Sequence, residues 1–147
     1  MAENWFSIAN MAALVGWLLL LASPFIPRLA DLYAALVAPC LFAAAYVALI
    51  LVYFSSSQGA FSTLAGVARV FEVPELLLAG WLHYLAFDLF VGAWIVRTAR
   101  KENISFPLIF PCLFFTFLFG PVGYLLFTGL RVARGNRLWA AEPGVSR

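Results

Sequence analysis

The chain has few charged residues, and this shortage excludes a soluble globular domain. Charged side chains make up 11% of the 147 residues and hydrophobic ones 65%, whereas soluble domains carry about 25% charged residues. Mean hydropathy is +0.97, which predicts an integral membrane protein. The formal net charge is only +2, so we expect no basic surface and no nucleic-acid partner.

The chain also has few residues that could hold a metal or cofactor. It contains one histidine and two cysteines, too few for a histidine-rich metal or haem site. Cys40 and Cys112 lie in apolar runs, which is typical of buried thiols. The sequence has neither a phosphate-binding loop nor a nucleophile elbow. We therefore expect no metal and no cofactor.

Four apolar segments are long enough to cross a bilayer, which takes about 20 residues each. They cover about residues 8–25, 32–54, 74–96 and 106–130. Apolar residues at helical spacing predict a further short helix at about 60–72, lying at the membrane interface. The expected fold is all-α: a polytopic membrane protein with four transmembrane helices in a bundle, forming one domain over residues 1–147.

Two short motifs suggest an internal repeat. The Gly-Trp-Leu triplet at 16–18 recurs at 80–82, and the Pro-Cys-Leu-Phe string at 39–42 recurs at 111–114. Each unit would be a helical hairpin, and the two hairpins would be parallel repeats about an axis along the membrane normal. Apolar sequences also match by chance, so a duplication is one of two open interpretations.

Charge does not settle how the chain is oriented in the membrane. No positively charged signal-peptide segment opens the sequence, so the first helix is expected to stay in the protein. Four crossings would put both termini on one side, and near-membrane cations would then divide equally. One side would carry Arg28, Arg97, Arg100 and Lys101, and the other Arg69, Arg131, Arg134 and Arg137. The positive-inside rule gives no orientation for such a tie.

Asp88 is the main candidate functional residue, because it lies near the middle of the third apolar segment. A charge at the bilayer centre costs about 2.5–3.5 kcal/mol on insertion scales. Trp81, Tyr84 and Asp88 are spaced so that they share one helix face. His83, five residues before Asp88, points about 140° away around the helix. His83 and Asp88 therefore cannot touch directly, although they could flank one ligand. A buried carboxylate paired for structural reasons is the alternative.

The fourth segment contains a helix break at a similar depth. Pro121 cannot donate a backbone hydrogen bond and is flanked by Gly120 and Gly123, so a kink is expected there. Broken helices near mid-membrane often build binding sites. Thr116 in the same segment could donate a hydrogen bond to Asp88. Glu75 lies in the first turn of the third helix, where the macrodipole favours negative charge, and it is also a candidate ligand contact.

Two longer strings resemble the hallmarks of a known family. Residues 80–92 read GWLHYLAFDLFVG, and residues 111–123 read PCLFFTFLFGPVG. Both are similar to motifs of the neoxanthin-synthase-like membrane family, which is named for abscisic-acid deficiency in plants. The resemblance covers nearly the whole chain. It implies a four-helix membrane protein linked to carotenoids.

In plants this family is tied to the conversion of violaxanthin to neoxanthin, which opens a 5,6-epoxide and forms an allene beside it. That reaction needs an acid near the epoxide oxygen and a base near the C7 proton. Apolar surroundings favour neutral side chains, so we expect Asp88 to act as the acid and His83 as the base. The expected substrate-binding residues are Trp81, Tyr84, Thr116, Gly120, Pro121 and Glu75.

Other functions and partners remain open at this point. A carotenoid- or lipid-binding protein without turnover is one alternative, and a small proton-linked transporter is another. An extended carotenoid is about as long as the hydrocarbon core is thick, roughly 30 Å, so it would lie in a lipid-facing groove or between protomers. We expect a homodimer or higher oligomer, with Ala44 and Ala48 as a small-residue contact. Without the plastid-targeting extension of plant members, the chain is expected in a bacterial inner membrane.

Overall fold

The computed structural model describes residues 2–57 and 59–135, and every regular element in that part of the chain is a helix. Four of the five helices are long and apolar enough to cross a membrane, which confirms the all-α prediction. A π-helical stretch, Tyr33–Val37, interrupts the second helix just before Pro39. The helices are α1 (Ala2–Leu21), α2 (Pro27–Tyr53), α3 (Leu64–Val70), α4 (Pro74–Lys101) and α5 (Phe106–Ala133).

Helix α4 is the centre of the bundle, and α1, α2 and α5 pack around it. Small residues allow close approach on its α1 side, where Gly92 lies against the Trp17 and Leu20 side chains. Helix α1 runs parallel to α4, since Asn10 contacts Trp81 and residue 17 contacts residue 92. Helix α2 runs antiparallel to both.

These directions define two ends of the bundle. The N-terminal face holds the first turns of α1 and α4 together with α3. The arginine face holds the α1–α2 connection and the α4–α5 connection, which an ion pair of 2.8 Å between Arg100 and Asp31 joins. At the N-terminal face Thr63 caps α3 by accepting a hydrogen bond from the Gly66 backbone N–H. The position of α3 relative to a membrane interface stays a prediction.

Helix α5 is bent back on itself. A straight helix of its 28 residues would be about 42 Å long, and its two ends would lie on opposite faces. Instead Arg131, near its end, forms an ion pair with Glu102, which precedes its start. The reversal is at Phe119, whose backbone is non-helical (φ −150°, ψ 71°). We call residues 106–118 the first arm and residues 120–133 the second arm.

Small residues let the two arms of α5 pack closely. A side chain added at Gly123 would collide with the Thr116 hydroxyl and the Cys112 carbonyl of the first arm. The second arm then runs back along α4, where Trp94 contacts the rings of Tyr124 and Phe127 at 5.4 and 5.3 Å. The expected kink at Pro121 is therefore a reversal of chain direction that begins two residues earlier.

The reversal corrects the expected placement of charge. Arg131 lies on the arginine face beside Glu102, and Arg134 follows it there, whereas four crossings would place both on the N-terminal face. Arg137, which shared that expectation, lies outside the described residues. The physical reason is that hydropathy gives the length of an apolar helix but not whether its two halves continue in one direction.

The fold gives the suggested repeat no support. Gly16 lies against Leu89, nine positions beyond Gly80 on the parallel helix α4, which corresponds to about 13 Å in depth. Residues related by an axis along the membrane normal would lie at equal depth. The second hairpin also turns back at Phe119, whereas the corresponding helix α2 continues to the N-terminal face.

Candidate functional site

Asp88 is buried at the middle of α4, with 7% of its surface exposed. Its Oδ2 atom has no hydrogen-bond partner among the described residues. A buried polar atom without a partner carries a desolvation cost of about 1–3 kcal/mol. A functional role is one explanation of an unsatisfied carboxyl oxygen in an apolar bundle.

Gly120 brings the break in α5 directly against Asp88. A Cβ atom added at Gly120 would overlap Asp88 Oδ1, so only glycine allows this approach. Gly120 itself is buried, whereas its neighbours Phe119 and Pro121 are exposed. The structure thus brings together two of the predicted site residues, Asp88 and Gly120, and places Pro121 next to them.

A small polar network joins α4 to α1 and α5 beside Asp88. The Tyr84 hydroxyl donates a hydrogen bond of 3.2 Å to the carbonyl of Leu118, the last residue of the first arm. The same hydroxyl interacts with the Asp88 carboxyl. The last carbonyls of a helix need donors from outside it, and Tyr84 supplies one. Trp81 Nε1 donates to Asn10 Oδ1 at 3.0 Å. The predicted stripe of Trp81, Tyr84 and Asp88 therefore lies on one face.

Two neighbouring cavities extend from Asp88 towards the N-terminal face. The Asp88 cavity, of about 410 Å³, lies between α1, α4 and the first arm of α5. The N-terminal cavity, of about 580 Å³, lies between the first turns of α1 and α4 and includes Phe71. Trp81 and Tyr84 line both cavities. The walls of the Asp88 cavity are mainly apolar and aromatic: Asn10, Met11, Ala13, Leu14, Trp17, Trp81, Tyr84, Leu85, Asp88, Phe117 and Leu118.

Five predicted site residues line neither cavity: Gly120 and Pro121 are beside Asp88, and the other three lie away from it. His83 is on an exposed face of α4, where its ring stacks on Phe87 at 4.6 Å and contacts Tyr46 of α2. Thr116 is fully buried, and its hydroxyl donates a hydrogen bond of 2.7 Å to the Cys112 carbonyl. Its one hydroxyl proton is therefore not donated to Asp88. Glu75 is thirteen positions before Asp88, about 20 Å along the helix, and lines neither cavity.

The α1 wall of the Asp88 cavity was not predicted as part of the site. Met11, Leu14 and Trp17 form it, and apolar residues in an apolar helix give no signal that distinguishes cavity lining from lipid contact. Asn10 was the one available signal, since an amide in that helix needs a partner. Its oxygen accepts the Trp81 indole N–H, and its own Nδ2 donates to the Phe6 carbonyl.

The arrangement suits an elongated apolar ligand with one polar end. Apolar and aromatic walls would hold the apolar part, while the Asp88 carboxyl and the Tyr84 hydroxyl would meet oxygen atoms at its end. Within residues 2–57 and 59–135, no three histidine, cysteine, aspartate or glutamate side chains converge on a point where a metal could bind.

Residues 4–127 match the profile of the family described as ABA DEFICIENT 4-like. The chain belongs to this family. The match covers both motif strings and every residue that lines the Asp88 cavity, and it confirms the resemblance found in the sequence. At family level, membership supports a membrane protein related to carotenoids or xanthophylls. No curated protein and no solved structure matches the chain.

Proposed function

We propose that the protein is an isomerase that opens a 5,6-epoxy-carotenoid of the violaxanthin type to an allene. The observation that carries this proposal is the unpartnered Asp88 Oδ2 atom in the Asp88 cavity, which the N-terminal cavity adjoins at Trp81 and Tyr84. A polyene with an epoxidised end ring has matching chemistry, because it is apolar along its length and carries hydrogen-bond acceptors at its end.

A single carboxyl is enough for this reaction, since an isomerisation neither gains nor loses protons overall. Protonated Asp88 donates its proton to the epoxide oxygen as the C6–O bond breaks and the electron pair of that bond passes to oxygen. The carboxylate then takes the C7 proton, and the C7–H electron pair becomes the new C6–C7 π bond. Asp88 ends in its starting form. The Tyr84 hydroxyl, held by the Leu118 carbonyl, orients the carboxyl.

This assignment replaces the pair of Asp88 and His83 that the sequence favoured. His83 lies on another face of α4, against Phe87 and Tyr46, and one end ring in the Asp88 cavity would not reach it. Thr116 and Glu75 are likewise not assigned a ligand contact. Trp81, Tyr84, Gly120 and the helix break at Pro121 remain in the proposed binding site.

The test is a chromatographic separation of violaxanthin incubated with purified protein, because an isomer differs in retention time and not in mass. We expect a new peak from the wild type and from His83→Gln, and none from Asp88→Asn. Asparagine keeps the size of the side chain, but its amide can neither give a proton to the epoxide oxygen nor take one from C7. Equal product from Asp88→Asn and the wild type would overturn the assignment.

Binding without turnover is the second candidate function, and the shared aromatic wall of the two cavities favours it. Trp81 and Tyr84, whose rings lie 5.3 Å apart, offer a surface on which a polyene could pack without any chemistry at Asp88. Violaxanthin that co-purifies unchanged with both the wild type and Asp88→Asn would support this function. Proton uptake by liposomes containing the protein would instead support the transporter considered from the sequence.

We also propose a bacterial inner membrane as the location. The four apolar helices are of the kind that helical membrane proteins use, whereas bacterial outer membranes hold β-barrels. Fractionation of the producing cells with inner- and outer-membrane markers would test this location.

A further inference from the structure

We propose that α5 enters and leaves the membrane on the arginine face without crossing it, and that ligand reaches Asp88 from the opposite leaflet. The chain would then cross the membrane three times, and its described C-terminal end would lie opposite its N-terminus. The number of crossings does not depend on the function proposed above. The route of the ligand rests on that function.

The lengths of the two arms support a re-entrant helix. Residues 106–118 and 120–133 each form an arm of about 20 Å, whereas the hydrocarbon core is about 30 Å thick. The reversal at Phe119 lies at the depth of Asp88, the midpoint of α4. Each arm is therefore too short to cross, and together they reach mid-membrane and return.

Contacts to α4 hold the backbone on both sides of the reversal. Irregular backbone inside a membrane is tolerated where protein buries it or where it lines a cavity. The Leu118 carbonyl accepts the Tyr84 hydroxyl, and Gly120 is buried against Asp88. Non-helical backbone at Phe119 is thus flanked on both sides by contacts to α4.

The doubled-back helix removes the tie in the charge count. With Arg131 paired to Glu102, six of the described cations belong to the arginine face, while the N-terminal face has one, Arg69. The positive-inside rule then makes the arginine face cytoplasmic. The six are Arg28, Arg97, Arg100, Lys101, Arg131 and Arg134.

Two aromatic rings bound the Asp88 cavity on its cytoplasmic side. Trp17 of α1, which lies level with Gly92, and Phe117 of the first arm both line this cavity, and their rings are 5.5 Å apart. In the other direction the N-terminal cavity continues to Ala2, Glu3 and Pro74 at the start of α1 and α4. A ligand can therefore approach Asp88 from the non-cytoplasmic leaflet.

Single cysteines labelled with a membrane-impermeant maleimide test the crossings. Ser62→Cys reports the N-terminal face, Ser105→Cys the α4–α5 connection, and Arg134→Cys the end of the second arm. The unmodified chain is the blank, because Cys112 is buried and Cys40 is near the middle of α2. Each variant is labelled in intact spheroplasts and in inside-out vesicles.

We expect Ser62→Cys to react in spheroplasts, and Ser105→Cys and Arg134→Cys to react only in inside-out vesicles. A fourth crossing would make Arg134→Cys react together with Ser62→Cys, which would overturn the re-entrant helix. The reverse orientation, with Ser105→Cys and Arg134→Cys reactive in spheroplasts, would overturn the assigned leaflet. These outcomes can be read even if the protein converts no violaxanthin.

A substitution that blocks the N-terminal cavity tests the route of the ligand to Asp88. Leu77 lines the N-terminal cavity, and Leu77→Trp should lower the rate of violaxanthin conversion, or the amount bound, by about tenfold or more. The control is Leu125→Trp, a similar enlargement at an exposed position of the second arm, which should leave both unchanged. Unchanged conversion and binding in Leu77→Trp would overturn the route.

Discussion

Gly120→Ala is the substitution that most directly probes the packing of α5 against Asp88. An added Cβ would overlap Asp88 Oδ1, so either the carboxyl or the second arm must move. Overpacking of this kind costs about 1–3 kcal/mol. Replacing glycine by alanine in a helix also gains up to about 1 kcal/mol of helix propensity, which partly hides the steric cost.

Gly129→Ala is the matched control, because Gly129 lies in the same arm and a Cβ added there meets no atom within 4 Å. The propensity gain is common to both variants. The free energy of unfolding of Gly120→Ala should therefore be about 1–3 kcal/mol lower than that of Gly129→Ala. Unfolding by SDS in mixed micelles, followed by circular dichroism, measures this difference.

A double-mutant cycle assigns the cost to the Asp88 carboxyl. In an Asp88→Ala background the overlapping oxygen is gone, so Gly120→Ala and Gly129→Ala should unfold with nearly equal free energies. Residues in contact commonly couple by about 0.5–3 kcal/mol in such cycles. Equal stability of Gly120→Ala and Gly129→Ala with Asp88 present would refute the close approach of α5 to this carboxyl.

Three further predictions concern residues outside the Asp88 cavity. Removing either partner of the Glu102–Arg131 ion pair should lower the free energy of unfolding by about 1.5–3 kcal/mol. Exchanging the two residues should restore most of the lost stability. An exchanged pair as unstable as the single variants would contradict the pairing. His83→Gln should change the free energy of unfolding by less than about 0.5 kcal/mol, and a larger loss would show that His83 supports the fold. In mild detergents, size-exclusion chromatography with light scattering should show the wild type as a dimer or higher oligomer. The double variant Ala44→Leu/Ala48→Leu, altered at two exposed positions of α2, should be a monomer. A wild-type monomer in several detergents would count against the predicted contact.

The helices and one face of the site follow from local sequence. Apolar runs predicted four long helices, and the spacing of Trp81, Tyr84 and Asp88 predicted a common face, because both features depend only on residues close in the chain. The five-residue separation of His83 and Asp88 likewise predicted that they point apart. In the structure His83 indeed lies away from the Asp88 cavity.

The reversal of α5 could not be predicted in the same way. Pro121 and its neighbouring glycines indicated a kink, but a kink by itself does not fix the direction in which the chain continues. That direction depends on long-range contacts, namely Gly123 against the first arm and Arg131 against Glu102. The charge count assumed that α5 crosses the membrane, and the repeat assumed that the second hairpin has the same course as the first.

An experimental structure of Asp88→Asn with bound violaxanthin is the most direct test of the proposed site. We expect one epoxidised end ring within hydrogen-bond distance of residue 88, with the polyene passing Trp81 and Tyr84 into the N-terminal cavity. An end ring placed beside His83, on the exposed face of α4, or a polyene lying along the second arm would contradict Asp88 as the centre of the chemistry.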